Sequence, residues 1–395
     1  MREAYIVNAI RTPGCRRGKG AFADTRPESL LSHVLSKVIE LTPGVDKGAV
    51  EDIMVGCSFP EAEQGLNIGR ICGQIAGFPR AVSGATVNRF CASGLEAVVQ
   101  ASMRVMVGFS DVTIGAGIES MTFVPMGGNL PRPFPEYTEN HPDMYVSMGI
   151  TAENVAKRYG VDRKAQDEFA ASSHQKAAAA RDKKLFTEVV PTPATKYVQN
   201  PDGTFHKETF LQDVDDGIRA DTTVEGLGKL RPVFAAGGSV TAGNSSQTTD
   251  GSAAVLIMSG DKVKEFGLKP IAKVLCYATV GCEPDEMGIG PALAIPKVLA
   301  KAGVKIDDVG LFEINEAFAS QAVYCMRELG IDKPGKVEKV NPHGGAIALG
   351  HPLGCTGAKL CATLVNNMRT KGVKYGIESM CIGGGMGAAA LFQLC

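Results

Sequence analysis

The sequence predicts an α/β protein in which two similar halves form one layered core, with an irregular region inserted between them. Three observations lead there. Strand-like and helix-like segments alternate through residues 1–118, a pattern that implies a sheet, read here as parallel, covered by helices on both faces. The alternation resumes after Lys269 in a matching layout: Val50-Glu51-Asp52-Ile53-Met54-Val55 has a counterpart in Asp307-Asp308-Val309-Gly310-Leu311-Phe312, and Cys91-Ala92-Ser93-Gly94, opening a helix, has one in Cys355-Thr356-Gly357-Ala358. Between the two, Pro125, Pro131, Pro133, Pro135 and Pro142 mark a change of texture that begins at Glu119. The expected organisation is an N-terminal half of residues 1–118 with about 244–268, an inserted loop domain of 119–243, and a C-terminal half of 269–395.

In order, residues 4–9 read as a strand, and the basic, glycine-rich stretch from Arg11 to Gly20 as an exposed crossover near a subunit contact. A helix over 30–41, a strand over 51–57 and a helix over 67–76 follow. Thr86 and Val87 end a buried strand, and Leu95, Val98, Val99, Ser102, Met103 and Met106 recur at helical spacing, so Cys91 falls at a strand-to-helix turn. A strand over 111–117 completes this part. The insertion is expected to carry one strongly charged helix over 151–184, with Met148 before it lining a pocket or packing in the core. Small residues over 239–247 lead to a buried strand or helix at 250–258. The second half is expected to contain strands at 271–277, 309–314, 337–340 and 375–381, and helices at 292–301, 317–329 and 356–368.

Composition narrows the function classes. Lys+Arg 41 against Asp+Glu 42 leaves a net charge of -1, which gives no electrostatic footprint for nucleic acid or an anionic membrane. The 11 cysteines are scattered without a CxxC pair, and no apolar run is long enough to span a bilayer. A reducing compartment is expected, the cytoplasm first and an organelle matrix second, and no metal site is expected.

Four short clusters carry chemistry. A thiol at a helix start faces unpaired N–H groups and partial positive charge, so the Cys91 pKa is expected to fall below its usual value of about 8.5. In the C-terminal half, Asn315-Glu316-Ala317-Phe318 joins a strand to a helix, Gly350-His351-Pro352 precedes another helix, and Cys381-Ile382-Gly383-Gly384-Gly385 follows a strand. A cysteine nucleophile needs a base, and His351 is the candidate.

Together with Asn88-Arg89-Phe90-Cys91-Ala92-Ser93-Gly94, these clusters closely resemble the four motifs of the thiolase family, in the same order, and the resemblance runs from Arg11-Thr12-Pro13 to the last glycine loop. It implies a thiolase-like fold with an αβαβα core, and a 3-ketoacyl-CoA thiolase or acetyl-CoA acetyltransferase activity through an S-acyl-Cys91 intermediate. Cys91 is then the nucleophile, His351 its base, and Cys381 the acid that protonates the departing carbanion. The resemblance also implies two oxyanion holes, one from His351 and a water held by Asn315, the other from the N–H groups of Cys91 and Gly383. Coenzyme A is the implied substrate rather than a bound cofactor, with Ser246, Arg219, Met148 and, more weakly, Lys229 as contacts. His343 stands where some members have asparagine, and either lines the site or hydrogen-bonds within its loop. Dimers are usual in the family, and the insertion is long enough for a tetramer. The rival readings are an acetoacetyl-CoA-specific biosynthetic enzyme, a decarboxylating synthase (against which Cys381 argues), a non-catalytic lipid carrier or scaffold (against which the four intact motifs argue), and a cysteine peptidase, which the glycine-rich second-cysteine loop excludes.

Overall fold

The computed structural model describes residues 2–395. In the N-terminal half lie β1 (Ala4–Arg11), β2 (Cys15–Arg16), β3 (Asp52–Gly56), β4 (Ser83–Val87) and β5 (Val112–Ser120). The insertion contributes a hairpin, β6 (Thr192–Gln199), buried at Thr192 and Ala194, and β7 (Phe205–Gln212), largely exposed. β8 (Thr249–Ser259) follows, then β9 (Ala272–Gly281), β10 (Leu311–Ile314), β11 (Tyr375–Ile382) and β12 (Met386–Leu394).

The duplication is written in the strand order. One half runs β1-β8-β5-β3-β4, and the other runs β9-β12-β11-β10 with Val340 bridging parallel to Phe312 where a fifth strand would stand. The halves are joined through Ile6 opposite Ala272. Alternate residues of β8 face opposite ways, as the two-residue period of a strand requires. Ala253, Val255 and Ile257 pack inward with Val98 and Ala101 of the Ser93–Met106 helix and Leu360 and Leu364 of the Thr356–Lys371 helix. Ala254, Leu256 and Met258 pack outward on Leu31 and Val34 of the Pro27–Glu40 helix. On the other half, Ile377 and Leu391 face Ile295 and Val298 of the Gly290–Ala302 helix. Helix, sheet, helix, sheet, helix is therefore the layering.

The two central helices touch at their first turns. A Cβ on Gly94 would strike the Ala358 backbone, and one on Gly357 would strike the Leu95 backbone, a reciprocal contact that only glycine permits. It pairs Gly94 with Gly357, one residue away from the alignment of Cys91 with Cys355; the structural counterpart of Cys91 is Gly354, since the short 3₁₀ turns Phe90–Ala92 and Leu353–Cys355 precede the two helices equivalently.

The sequence reading fails in several places, among them β4, which is a half-buried edge strand and not a buried one. The sheet is mixed: β3 pairs parallel with β4 and β5, and β10 with β11, but β1, β8, β9 and β12 pair antiparallel. Alternation alone does not carry strand direction. β12 was missed because Ala388, Ala389 and Ala390 dilute its apolar signal, although they are fully buried. The charged helix is two helices, Met148–Arg158 and Arg163–Asp182, broken at Gly160 with Asp162 capping the second through Ala165 N–H at 2.8 Å. The expected strand at 337–340 is a 3₁₀ turn, Val337–Lys339. The basic loop is exposed only from Arg17 to Lys19; Arg11 is fully buried, paired with Asp215 at 2.7 Å and Glu188 at 3.2 Å.

Candidate active site

The Cys91 turn is held by its neighbours in the chain. Phe90 sits at φ 43, a region a bulky side chain enters only at a cost of about 1–3 kcal/mol. Its N–H donates to Asn88 Oδ1 at 2.8 Å, and its carbonyl accepts from Ser58 Oγ at 2.8 Å and Ser93 Oγ at 2.7 Å. Asn88 and Ser93 thus fix the backbone on either side of the thiol.

Cys91 itself is only 7% exposed. Burial pushes its thiol pKa up to about 12, and the backbone N–H groups of Gly383 and of Cys91, both bonding the sulfur, pull the other way without winning. The expected thiolate at rest is therefore overturned: desolvation outweighs the helix start, and Cys91 rests as a neutral thiol. Gly383 reaches the sulfur because Gly384 and Gly385, at φ 79 and 76, turn the chain sharply between β11 and β12.

Cys381, at the end of β11, is fully buried, and burial together with the nearby Cys91 holds its thiol well above the ordinary range. It too is protonated at rest.

His351 is 4% exposed, and burial plus the charge of Lys359 pushes it down to about 3. Its tautomer follows from its partners. Thr356 Oγ1 donates to the Pro352 carbonyl at 2.9 Å and so accepts from His351 Nδ1–H at 2.6 Å. Nε2 is left with a lone pair, which accepts from Asn315 Nδ2 at 3.3 Å. Asn315 Oδ1 is buried without a protein partner. Loss of the Thr356 bond strands a buried N–H at about 1–3 kcal/mol. Thr356→Val should therefore lower kcat/KM roughly tenfold to a hundredfold, with Thr356→Ser restoring it. Because the neutral imidazole is the base and its pKa lies far below the usual 6.5, the wild-type kcat/KM should show no His351 limb between about pH 8 and about pH 5. A limb near 6.5 would contradict this description of the site.

The loops are tied together by residues that sequence reasoning passed over. Glu119, at the end of β5, accepts from Ser58 N at 2.8 Å and Gly354 N at 2.7 Å, joining the Cys91 side to the His351 side. Glu316 accepts from Ser173 Oγ at 2.6 Å and Asn341 Nδ2 at 2.8 Å. Lys359 donates to the carbonyls of Leu349 and Gly350, at 2.9 and 3.0 Å, immediately before His351. Thr356 and Lys359, five and eight residues after His351, carried the only local signal.

The remaining expected contacts are spread out. The half-buried Ser246 donates its N–H to the Ala317 carbonyl at 2.9 Å, in a loop whose Thr248 bridges His351. Met148 opens its helix against Gly383 and packs with Cys381 and Phe318. Arg219 is exposed, with its N–H bonded to His174 Nδ1 at 3.2 Å, and Lys229 pairs with Glu225 at 3.3 Å. His343 lies edge-on to Phe186 with 5.8 Å between ring centres, makes no side-chain hydrogen bond through Nδ1, and is not among the residues lining the cavity at Cys91. Among the described residues, no group of three or more His, Cys, Asp or Glu side chains is placed to hold a metal, and no helix is long and apolar enough to cross a membrane.

Two similar α/β halves carry the Cys91 turn and the His351 loop ahead of their central helices, with the thiol of Cys381 near the end of β11, a set of groups suited to acyl transfer. Comparison with known proteins supplies the family. A thiolase N-terminal domain model matches residues 4–261 and a thiolase C-terminal domain model residues 268–394. The 3-ketoacyl-CoA thiolase of Bacillus subtilis is 48% identical over 100% of both chains, and the human peroxisomal 3-ketoacyl-CoA thiolase 46% identical over 99% of this chain and 91% of its own. The dimeric peroxisomal thiolase of Saccharomyces cerevisiae superposes with a TM-score of 0.88 at 39% identity, covering 100% of this chain and 98% of its own. The Bacillus anthracis acetyl-CoA acetyltransferase gives 0.89 at 36% identity, with 100% and 99% covered. The chain belongs to the thiolase family.

Proposed function

We propose that this acyltransferase cleaves 3-ketoacyl-CoA with coenzyme A, giving acetyl-CoA and a shortened acyl-CoA, and runs the reverse condensation through the same S-acyl-Cys91 intermediate. The observation that carries the reading is the pair of backbone N–H groups, of Gly383 and Cys91, on the Cys91 sulfur, together with a neutral His351 whose Nε2 keeps its lone pair. His351 takes the proton of Cys91 as the sulfur attacks the keto carbon, and the new oxyanion falls to those two N–H groups. The bond between the α and β carbons then breaks. Its electron pair becomes the enolate of acetyl-CoA, whose oxygen is met by His351 Nε2–H and by a water on Asn315 Oδ1. Cys381 gives its proton to the α carbon; its thiolate then takes the proton of the coenzyme A thiol, whose sulfur takes the acyl group, and the released Cys91 sulfur recovers its proton from His351.

The steps are proton transfers, attack and release of sulfur, and one carbon–carbon cleavage whose electron pair goes to an enolate, and these side chains serve them without a bound cofactor. Met148 and Ser246 would flank the thioester end of coenzyme A, with the exposed Arg219 available to its phosphates. All 11 cysteines are free, in keeping with a reducing compartment, and we place the enzyme in the cytoplasm. A homodimer is the assembly we favour. β4 is a free sheet edge flanked by Leu66 and Ile75, exposed by 90% and 58%, and such an edge is usually covered by a partner.

The test is product analysis. The protein with a 3-ketoacyl-CoA and coenzyme A should yield acetyl-CoA and shortened acyl-CoA in equal amounts, with no turnover when coenzyme A is omitted. Turnover without coenzyme A, releasing free acid, would contradict thiolysis.

A further inference from the structure

We infer that Lys359 is a positioning residue for the reaction: its ammonium fixes the backbone that carries His351 and acts on the imidazole by its charge; this rests on the thiolase reading above. Lys359 lies three residues after Thr356 in the Thr356–Lys371 helix, on the same helical face. It is 4% exposed, and the two carbonyls it bonds, those of Leu349 and Gly350, stand at the end of the short Ala346–Leu349 helix. There Gly350, at φ 81, turns the chain into His351. The His351 N–H in turn donates to the Gln247 carbonyl at 3.0 Å and to Thr249 Oγ1 at 3.1 Å. Lys359 thus secures the carbonyls just before the imidazole, and Thr356 secures its ring.

The charge is placed as unusually as the bonds. A buried ammonium ordinarily sits against a carboxylate. Here the two near it, Asp215 and Glu188, are bonded to Arg11 at 2.7 and 3.2 Å, and Glu188 also accepts from Thr363 Oγ1 at 2.8 Å. Among the described residues, the hydrogen bonds of Lys359 go to carbonyl oxygens alone.

Other titratable groups packed near the loop come from several elements. Glu119 ends β5, Glu313 and Glu316 lie on and just after β10, and Cys355 precedes the helix; burial pushes all four up, Glu313 to about 8, toward their neutral forms. Lys176, on the Arg163–Asp182 helix, faces Glu313 and Glu316. The charge that adds to burial in pushing His351 down is that of Lys359. An imidazole so placed holds a proton taken from Cys91 loosely and returns it readily to the sulfur when the cycle ends.

Lys359→Met, apolar and of similar volume, removes the charge and both bonds. With the full-length protein, 3-ketohexanoyl-CoA and coenzyme A, it should lower kcat by about tenfold to a hundredfold and leave KM within about threefold of wild type, since a buried lysine acting through His351 touches no substrate. Losing a positive charge favours the imidazolium, so the His351 pKa rises and the neutral base is lost at a higher pH than in wild type. The ratio of variant to wild-type kcat/KM should therefore fall by at least about threefold more between about pH 6 and about pH 4, read in brief pH-jump assays. Lys359→Arg keeps the charge and the donors, and should recover most of the lost kcat with a ratio that stays constant with pH. Should Lys359→Met fail to fold, Lys359→Gln, with a donor but no charge, reads the same ratio.

A kcat within about threefold of wild type, a ratio constant with pH in the uncharged variant, or a Lys359→Arg no better than Lys359→Met overturns the inference and leaves thiolysis by the wild-type protein intact. No cleavage by the wild-type protein overturns the thiolase reading and this inference with it.

Discussion

Cys381→Ala should still accept an acetyl group from acetyl-CoA on Cys91 but lose thiolytic cleavage and condensation by about 10²–10⁴-fold, the usual share of a positioned acid or base. The two thiols differ in what surrounds them. Cys91 has two N–H groups on its sulfur; Cys381 is fully buried and kept protonated by desolvation and by its neighbour. Transfer from acetyl-CoA to Cys91 makes no carbon–carbon bond and needs no proton at the α carbon, so it should survive. Radiolabelled acetyl transfer and product formation, measured on the same preparation, separate the two steps. Equal loss of both would mean that Cys381 supports the fold of the site and not its proton transfer.

Cys91→Ala should abolish both steps, lowering turnover by at least about 10⁴-fold, because the acyl group then has no carrier. Stability should change little by comparison, since Cys91 sits in a small cluster with Met121 and Leu353 at the margin of the large central core. A melting temperature close to wild type alongside vanished activity distinguishes a lost nucleophile from a misfolded turn. Residual cleavage above about a hundredth of wild type would assign the acyl-carrying role elsewhere.

Most of the proposed site was legible in the chain because its groups lie in turns that follow strands or precede helices, where residue type and position both point to chemistry. Asn315 and His351 are 36 residues apart in sequence and 3.3 Å apart in space, an adjacency the motifs implied only by resemblance. What stayed hidden depends on three dimensions. Thr356 and Glu119 look like ordinary helix and strand residues until the His351 Nδ1–H and the Gly354 N–H are seen to land on them. The resting state of Cys91 was misread for a related reason: a helix start is visible in sequence, whereas burial to 7% exposure is not.

The fold divides the same way. The duplicated layout was visible from matching segments, and the repeated strand order agrees with it. Strand direction was not visible, because β8 reaches its place only after the long insertion, and β11 returns into β12 through a tight glycine turn. Gly160 and Asp162, a breaker followed by a cap, were sufficient to divide the charged helix and were passed over because its charge pattern runs on across them.

The proposed mechanism requires the acyl group to be carried on Cys91. Peptide mass spectrometry of the protein quenched in acid after brief exposure to acetyl-CoA should find one acetyl group on the peptide containing Cys91, absent in Cys91→Ala and discharged by added coenzyme A. An acetyl group on Cys381 instead, or none on any cysteine while cleavage proceeds, would contradict it.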